Sequence, residues 1–276
     1  MNWMLPVQQL GRRVQNPLCA NGNCSASAWD RWRSRHCGAM FNDHWYCSES
    51  CLRVAIQAGL ARDVRRSTNH KGSPYKLPLG LLILSRGFIG QEDLGAALHL
   101  QSQAPQMRIG ECLCQLGVVN EEQVTRAIGI QNGVPVLLGY QPRMEYLVPL
   151  RLQEAAEAYC FSVASSPSVV YVGFSAKVDQ ALLQAIASIL GASVEPCILP
   201  TRLIKQRLSS LMEEGSPAEI VFETPMLASD VARSICSYAK QVGAGFIRVA
   251  HTSQYVWARL RGTVEHDLLF RAAISD

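Results

Sequence analysis

Residues 78–101, PLGLLILSRGFIGQEDLGAALHLQ, align with residues 108–131, RIGECLCQLGVVNEEQVTRAIGIQ, at an offset of thirty, and this pairing decides the fold. Gly80 falls on Gly110, Gly87 on Gly117 and Gln101 on Gln131. The apolar positions also agree: Leu79 with Ile109, Ile83 with Leu113, Phe88 with Val118, Ile89 with Val119, Leu94 with Val124 and Leu98 with Ile128. Each copy reads as a short helix stopped by a glycine and followed by a second helix. Gly87 and Gly117 suit the left-handed residue that ends a helix. Gly90 and Asn120 suit the following N-caps, with Gln123 three residues after Asn120 as a capping box requires. Cys112 and Cys114 lie opposite Leu82 and Leu84, so they read as apolar helix positions and not as ligands. By itself the repeat predicts a duplicated helical hairpin that packs on itself.

Outward from the repeat the pattern changes. Residues 144–213 alternate strand and helix: YLVPL, RLQEAAEAY, CFSVA and VVYVGF around the turn SSPS, ALLQAIASIL, SVEPCIL and TRLIKQRLSSLM. Residues 218–276 predict one further helix, LASDVARSICSYAKQVG, and strands at GFIRVAH, YVWARLRG and DLLFRA. Upstream, residues 67–75 are turn chemistry and read as a linker. Residues 1–66 are rich in Cys and Trp. The expected fold class is therefore α+β and multidomain: a small four-cysteine, zinc-finger-like module (1–66), a duplicated helical subdomain (76–143), an α/β subdomain (144–213) and a short C-terminal α/β segment (218–276).

Five of the ten cysteines fall within residues 19–51. CANGNC presents Cys19 and Cys24, and HWYCSESC presents Cys47 and Cys51 at the start of a predicted helix. Zinc takes four thiolate or imidazole ligands in a tetrahedron, and two loops that each deliver two cysteines supply them. The alternative is a set of unligated thiols in a small core, but a segment this charged has little core to hide them in. Cys37, His36 and His44 are substitute ligands or supporting groups. YCSESC resembles the FCSxxC signature of treble-clef zinc fingers.

Charge is uneven. Residues 1–76 hold eleven Lys/Arg against four Asp/Glu, whereas the remaining chain holds 15 against 18, within a net charge of +4. WDRWRSRH (29–36) interleaves Trp with Arg, which could stack bases and bind phosphates; the commoner role of such tryptophans is to form the small core beside a metal. No apolar run approaches the roughly 20 residues a membrane span needs. The opening MNWMLPVQQLGRR carries its charges after a short apolar patch, an order unlike a secretory signal. The expectation is a cytosolic chain without membrane insertion.

The twice-repeated RLGxxLLxxGLLxxxxLxxxLxxQ pattern resembles the MshEN domain, the N-terminal module of type II secretion and type IV pilus assembly ATPases. VYVGFSAKVDQALLQAI (170–186) stands where that family has VAVADPxDxxALDxI in its second subdomain. The resemblance implies a cyclic di-GMP-binding regulatory protein, each motif copy holding one half of the dinucleotide. It assigns Leu79, Gly80, Ile83, Leu84, Gly87, Phe88, Ile89, Leu98 and Gln101 to the first copy, and Arg108, Ile109, Gly110, Leu113, Gly117, Val118 and Gln131 to the second, with Asp179 from the α/β unit. Two departures stand out: Pro78 replaces the arginine of the first copy, and Ala176-Lys177 replaces the Asp-Pro of the second subdomain. GAGFIRV (243–249) resembles the strand that begins just before the ATPase core, but no GxxxxGK[ST] phosphate loop occurs. A non-enzymatic protein is expected, with a secretion or pilus assembly protein as a further partner. A scaffold that has lost the nucleotide, or a nucleic-acid binder acting through the basic finger, are the competing readings.

Overall fold

The computed structural model describes residues 18–27, 38–67, 76–138, 148–163, 166–214 and 219–272. WDRWRSRH, His36, Cys37 and most of the expected linker lie outside these residues.

The repeat folds as two helical hairpins, α2 (Leu79–Ser85) with α3 (Gln91–Gln103) and α4 (Ile109–Gln115) with α5 (Glu121–Asn132); α1 (Glu49–Ser67) precedes them. Gly87 and Gly117 hold φ of +72° and +71°, where a side chain would be strained, so each short helix stops at the expected glycine. Asn120 and Gln123 cap α5 reciprocally, each backbone N–H donating to the other's side chain at 2.9 Å. The copies exchange contacts about an approximate two-fold axis. A Cβ on Gly80 would meet Leu94 and Ile109, and one on Gly110 would meet Val124 and Leu79, which are the thirty-residue counterparts. Gln101 donates to the Met107 carbonyl at 3.0 Å, just before the second copy, and Gln131 donates to the Leu77 carbonyl at 2.7 Å, just before the first.

The α/β unit comprises α6 (Leu150–Ala155), β3 (Ala158–Val163), β4 (Ser166–Phe174), α7 (Gln180–Leu190), β5 (Ser193–Ile198) and α8 (Thr201–Glu214). β3 and β4 run antiparallel, and β4 and β5 run parallel through the crossover α7. Every residue of β3 is buried, because its two sides enter different cores. Cys160 packs with α7 and the helical hairpins, and Tyr159 and Phe161 pack with Ile204 and Leu211 of α8. The segment after α5 joins this sheet: Leu137 N–H donates to the Ile198 carbonyl at 3.0 Å and Ile198 N–H to the Pro135 carbonyl at 2.9 Å. Hairpins and α/β unit thus share one core. Val148 and Pro149 of the expected strand YLVPL lead instead into α6, with Pro149 at its N-cap; a proline at that point is suited to starting a helix.

The remaining elements are β1 (Ala39–Phe41), β2 (His44–Tyr46), β6 (Glu219–Phe222), α9 (Ala228–Gln241), β7 (Phe246–His251), β8 (Tyr255–Arg261) and β9 (Glu265–Arg271). They form a six-stranded sheet in the order β2-β1-β7-β8-β9-β6. The hairpin β1–β2 comes from the region expected as a four-cysteine module of its own; its strand β1 pairs in parallel with β7, and α1 packs beside α9 on one face. On the other face Ala250, Tyr255, Trp257 and Leu269 enter the core of the hairpins and α/β unit. The sequence pattern does not announce β6: four residues give too short a stretch for alternation to show.

Candidate functional site

Two places concentrate chemistry. In the first, loop 19–24 and the start of α1 bring together the thiols of Cys19, Cys24, Cys47 and Cys51, all four Sγ lying within 4.8 Å of one another. Cys24 and Cys47 Sγ are 3.5 Å apart, and Cys47 and Cys51 Sγ 4.0 Å. Four thiolates around zinc at about 2.3 Å sit about 3.8 Å from each other, so the donor set and its spacing fit that ion. The loop is held by Ala20 N–H donating to the Trp45 carbonyl at 2.9 Å. Burial, with hydrogen bonds to Cys24 and Cys19, pushes the Cys47 thiol up to about 12. Burial also opposes ionisation of Cys51, but hydrogen bonds from Ser48 and Asn21 and the neighbouring thiols outweigh it and bring Cys51 down to about 7. Such a cluster shares protons among its sulfurs, and a divalent cation displaces them. His44 is not part of this group; its Nδ1 lies 2.9 Å from the Asn42 carbonyl oxygen.

The second place is a cleft of about 220 Å³ where the helical hairpins meet the α/β unit. From the motif it takes Leu79, Arg108, Gly110 and Gln131, which α2, α4 and α5 bring to one side. The opposite side is the β4–α7 loop, Ser175, Ala176 and Lys177. Lys76 and Asn132 close one end, with Lys76 Nζ donating to Asn132 Oδ1 at 2.8 Å. Three cations, Lys76, Arg108 and Lys177, thus face one acidic residue of the lining, Glu111, whose carboxylate accepts from the Arg108 backbone N–H at 2.8 Å. The Arg108 guanidinium reaches across to Glu157 Oε1 at 2.5 Å and lies 3.4 Å from Ser175 Oγ, and Ser175 Oγ donates to Glu157 Oε2 at 2.7 Å. The hydrogen bond with Arg108 holds the Glu157 carboxyl below its ordinary range. Glu157 itself sits at φ +47°, a conformation unusual for a side chain with a Cβ.

The other residues that the resemblance assigns are elsewhere. Ile83, Ile89 and Leu113 are buried core, and Leu84, Ile109 and Val118 pack against it. Gly80 is a close helix approach, and Gly87 and Gly117 are the turns already described. Phe88 and Leu98 are exposed, and Gln101 is committed to Met107. Asp179 is the N-cap of α7, its Oδ1 accepting from Leu182 N–H at 3.0 Å. Conversely, the motif does not single out Lys76, Asn132, Glu157, Ser175 or Lys177 as site residues. Lys177 alone leaves a trace in the sequence, as the departure from the second subdomain's Asp-Pro.

No family model matches the chain. A stretch of 122 residues, 43% of the chain, is 25% identical to the type IV pilus assembly ATPase PilB of Thermus thermophilus, and spans only 14% of that protein. Among solved structures, one titled "Structure of MshE with cdg" aligns at 21% identity with a TM-score of 0.39, over 48% of this chain and 96% of that one. Among the described residues no helix is long and apolar enough to cross a membrane.

Proposed function

We propose that the cleft between the hairpins and the α/β unit binds cyclic di-GMP and that the protein is a regulatory binding protein related to the N-terminal region of pilus and secretion ATPases. The observation that carries this reading is the convergence of Lys76, Arg108 and Lys177 on a cleft also lined by Leu79, Gly110 and Gln131 of the duplicated motif. A guanidinium forks to phosphate or a guanine edge, the ammonium groups add charge, and the aliphatic wall covers a base. Lys76, two residues before Pro78, restores a cation on the side where the first copy lacks its arginine. At about 220 Å³ the cleft is smaller than the ~300–1,000 Å³ that encloses a whole drug-sized ligand. One half of the dinucleotide enters it and the other lies across the rim. The relative's name, a type IV pilus assembly ATPase, makes a pilus or secretion protein the natural recipient of the signal.

In this reading the chain acts by binding, and the sequence contains no GxxxxGK[ST] loop through which to cradle a nucleoside triphosphate. The four cysteines hold a structural zinc. A second reading, a scaffold that binds a protein through the same surface, is favoured by one observation: the Arg108 guanidinium is already engaged by Glu157 and Ser175. Calorimetric titration with cyclic di-GMP separates the two. Saturable 1:1 binding in the micromolar range or tighter, absent for GMP, is expected; no heat at high micromolar dinucleotide leaves the scaffold.

A further inference from the structure

We infer that the four-cysteine site is a clasp for the far end of the chain: metal bound by residues 19–51 completes and locks the C-terminal six-stranded sheet. The inference rests on the zinc reading above and extends it from a local fold to a link between the two ends of the sequence.

The hairpin has no core of its own. Its strands are three residues each, far short of what a two-stranded unit needs for independent stability. The buried apolar side chains nearby, Phe41, Leu52, Ile56 and Leu60, pack with Val231, Ile235, Ile247 and Leu260 of the C-terminal segment. Backbone bonds carry the join: Met40 N–H donates to the Gly245 carbonyl at 2.8 Å and Asn42 N–H to the Ile247 carbonyl at 3.1 Å. The turn between the strands, with Asn42 and Asp43 at φ +45° and +66°, adds side chains. Asn42 Oδ1 accepts from Val249 N–H at 3.2 Å, and Asp43 Oδ1 accepts from the Arg248 guanidinium at 3.0 Å. Arg248 also donates to the Ser188 carbonyl of α7 at 2.8 Å, so the turn reaches the α/β unit through one side chain.

The cysteines tie these parts together. Cys19 and Cys24 precede β1, Cys47 follows β2, and Cys51 lies in the first turn of α1. A tetrahedral ion therefore fixes the hairpin relative to α1, which is the helix that covers α9. Without it, the short backbone pairing, the Asn42 and Asp43 side-chain bonds and the shared core alone hold the hairpin and α1 in place. Loosened, the hairpin leaves β7 as an edge and α1 moves off α9.

The test uses the full chain. Elemental analysis of freshly purified protein should find about one zinc per chain, as a four-ligand site requires. Hydrogen exchange is then compared between loaded and chelator-stripped protein under reducing conditions. Stripping should speed exchange at least about tenfold in residues 39–67 and 228–251, the Val249 amide included, while residues 79–132 stay within about twofold, because stability is local to cooperative units. Adding zinc back should restore protection. Cys24→Ser should behave as the stripped protein does; if that variant does not express, stripping of the wild type still decides. Absence of bound metal, before or after zinc is added, overturns the zinc reading and the clasp with it. Bound zinc whose removal leaves 228–251 as protected as before overturns the clasp alone, and so does an equal loss of protection over 79–132.

Discussion

Adding one methyl group at two glycines of the repeat should have opposite effects, and the structure supplies both signs. Gly110 lies where α4 crosses its neighbours: a Cβ there would stand 2.7 Å from Val124 Cγ1 and 3.5 Å from Leu79 Cδ2. Val124 is buried, so the helices must part by several tenths of an ångström. Overpacking of this kind costs about 1–3 kcal/mol. Replacing a helical glycine by alanine returns about 0.5–1 kcal/mol through backbone entropy. Gly110→Ala should therefore destabilise, by up to about 2.5 kcal/mol. Gly95, in the exposed face of α3, has nothing within 4 Å of the added carbon, so Gly95→Ala keeps only the entropic gain and should stabilise by about 0.5–1 kcal/mol. At about 2–4 °C per kcal/mol for chains of this size, the two variants should differ in melting temperature by several degrees, the wild type lying between them. Far-UV circular dichroism melts at one protein concentration are sufficient. Because Gly110, Leu79 and Val124 all line the cleft, Gly110→Ala should also weaken cyclic di-GMP, and Gly95→Ala should not. Equal or reversed melting shifts would show that the close approach is not the reason for the repeated glycine.

Arg108→Ala should weaken cyclic di-GMP by roughly tenfold to a hundredfold in a calorimetric titration, the loss of a charge-assisted hydrogen bond of about 1.5–3 kcal/mol. Its pair with Glu157 is half exposed, so unfolding stability should fall by less than about 1 kcal/mol, and a larger drop would make the affinity loss a folding effect. Asp179→Ala should cost about 1 kcal/mol of stability through the lost cap on α7 while leaving affinity unchanged; a selective affinity loss would put Asp179 in the site after all. Gln101→Ala and Gln131→Ala should each destabilise by about 0.5–1.5 kcal/mol, but only Gln131→Ala should alter binding, since Gln131 lines the cleft. Equal affinity losses at both would place both motif copies on the ligand.

The helical hairpins were legible because the signals that start and stop their helices are local. Glycine stops and the Asn120–Gln123 cap operate within one or two turns of helix, and the thirty-residue offset shows the pattern twice. Cys112 and Cys114 were placed by the same register, and Cys112 is fully buried. The four metal-type cysteines were legible because thiol spacing survives whatever fold surrounds it. Of the six-stranded sheet, β7, β8 and β9 were legible as strands, but their joining to β1, β2 and β6 was not. Pairing Met40 with Phe246 joins residues some two hundred positions apart, and three-residue strands have no room to show alternation. The cleft was half legible for a related reason. A motif can point to Arg108 and Gln131, but Lys177 and Glu157 arrive from strand ends in another unit, and only the shared core brings them there.

The repeat also separates architecture from chemistry. Whatever is the same in both copies has a packing role the structure can name. The paired glycines let helices cross or stop, and the paired glutamines latch the chain just before the opposite copy, Gln101 on Met107 and Gln131 on Leu77. Identity between copies is thus explained by the approximate two-fold axis without any ligand. The asymmetric positions are different in kind. The three cations are not duplicated: Arg108 stands against Pro78 in the repeat, Lys76 against Gln106, and Lys177 lies outside the repeat. Their charges converge on one cleft where the helical layer meets the β4–α7 loop. The binding reading therefore rests on cations that the repeat does not duplicate, set among motif residues that also line the cleft, and a ligand held there meets the two halves of the repeat unequally.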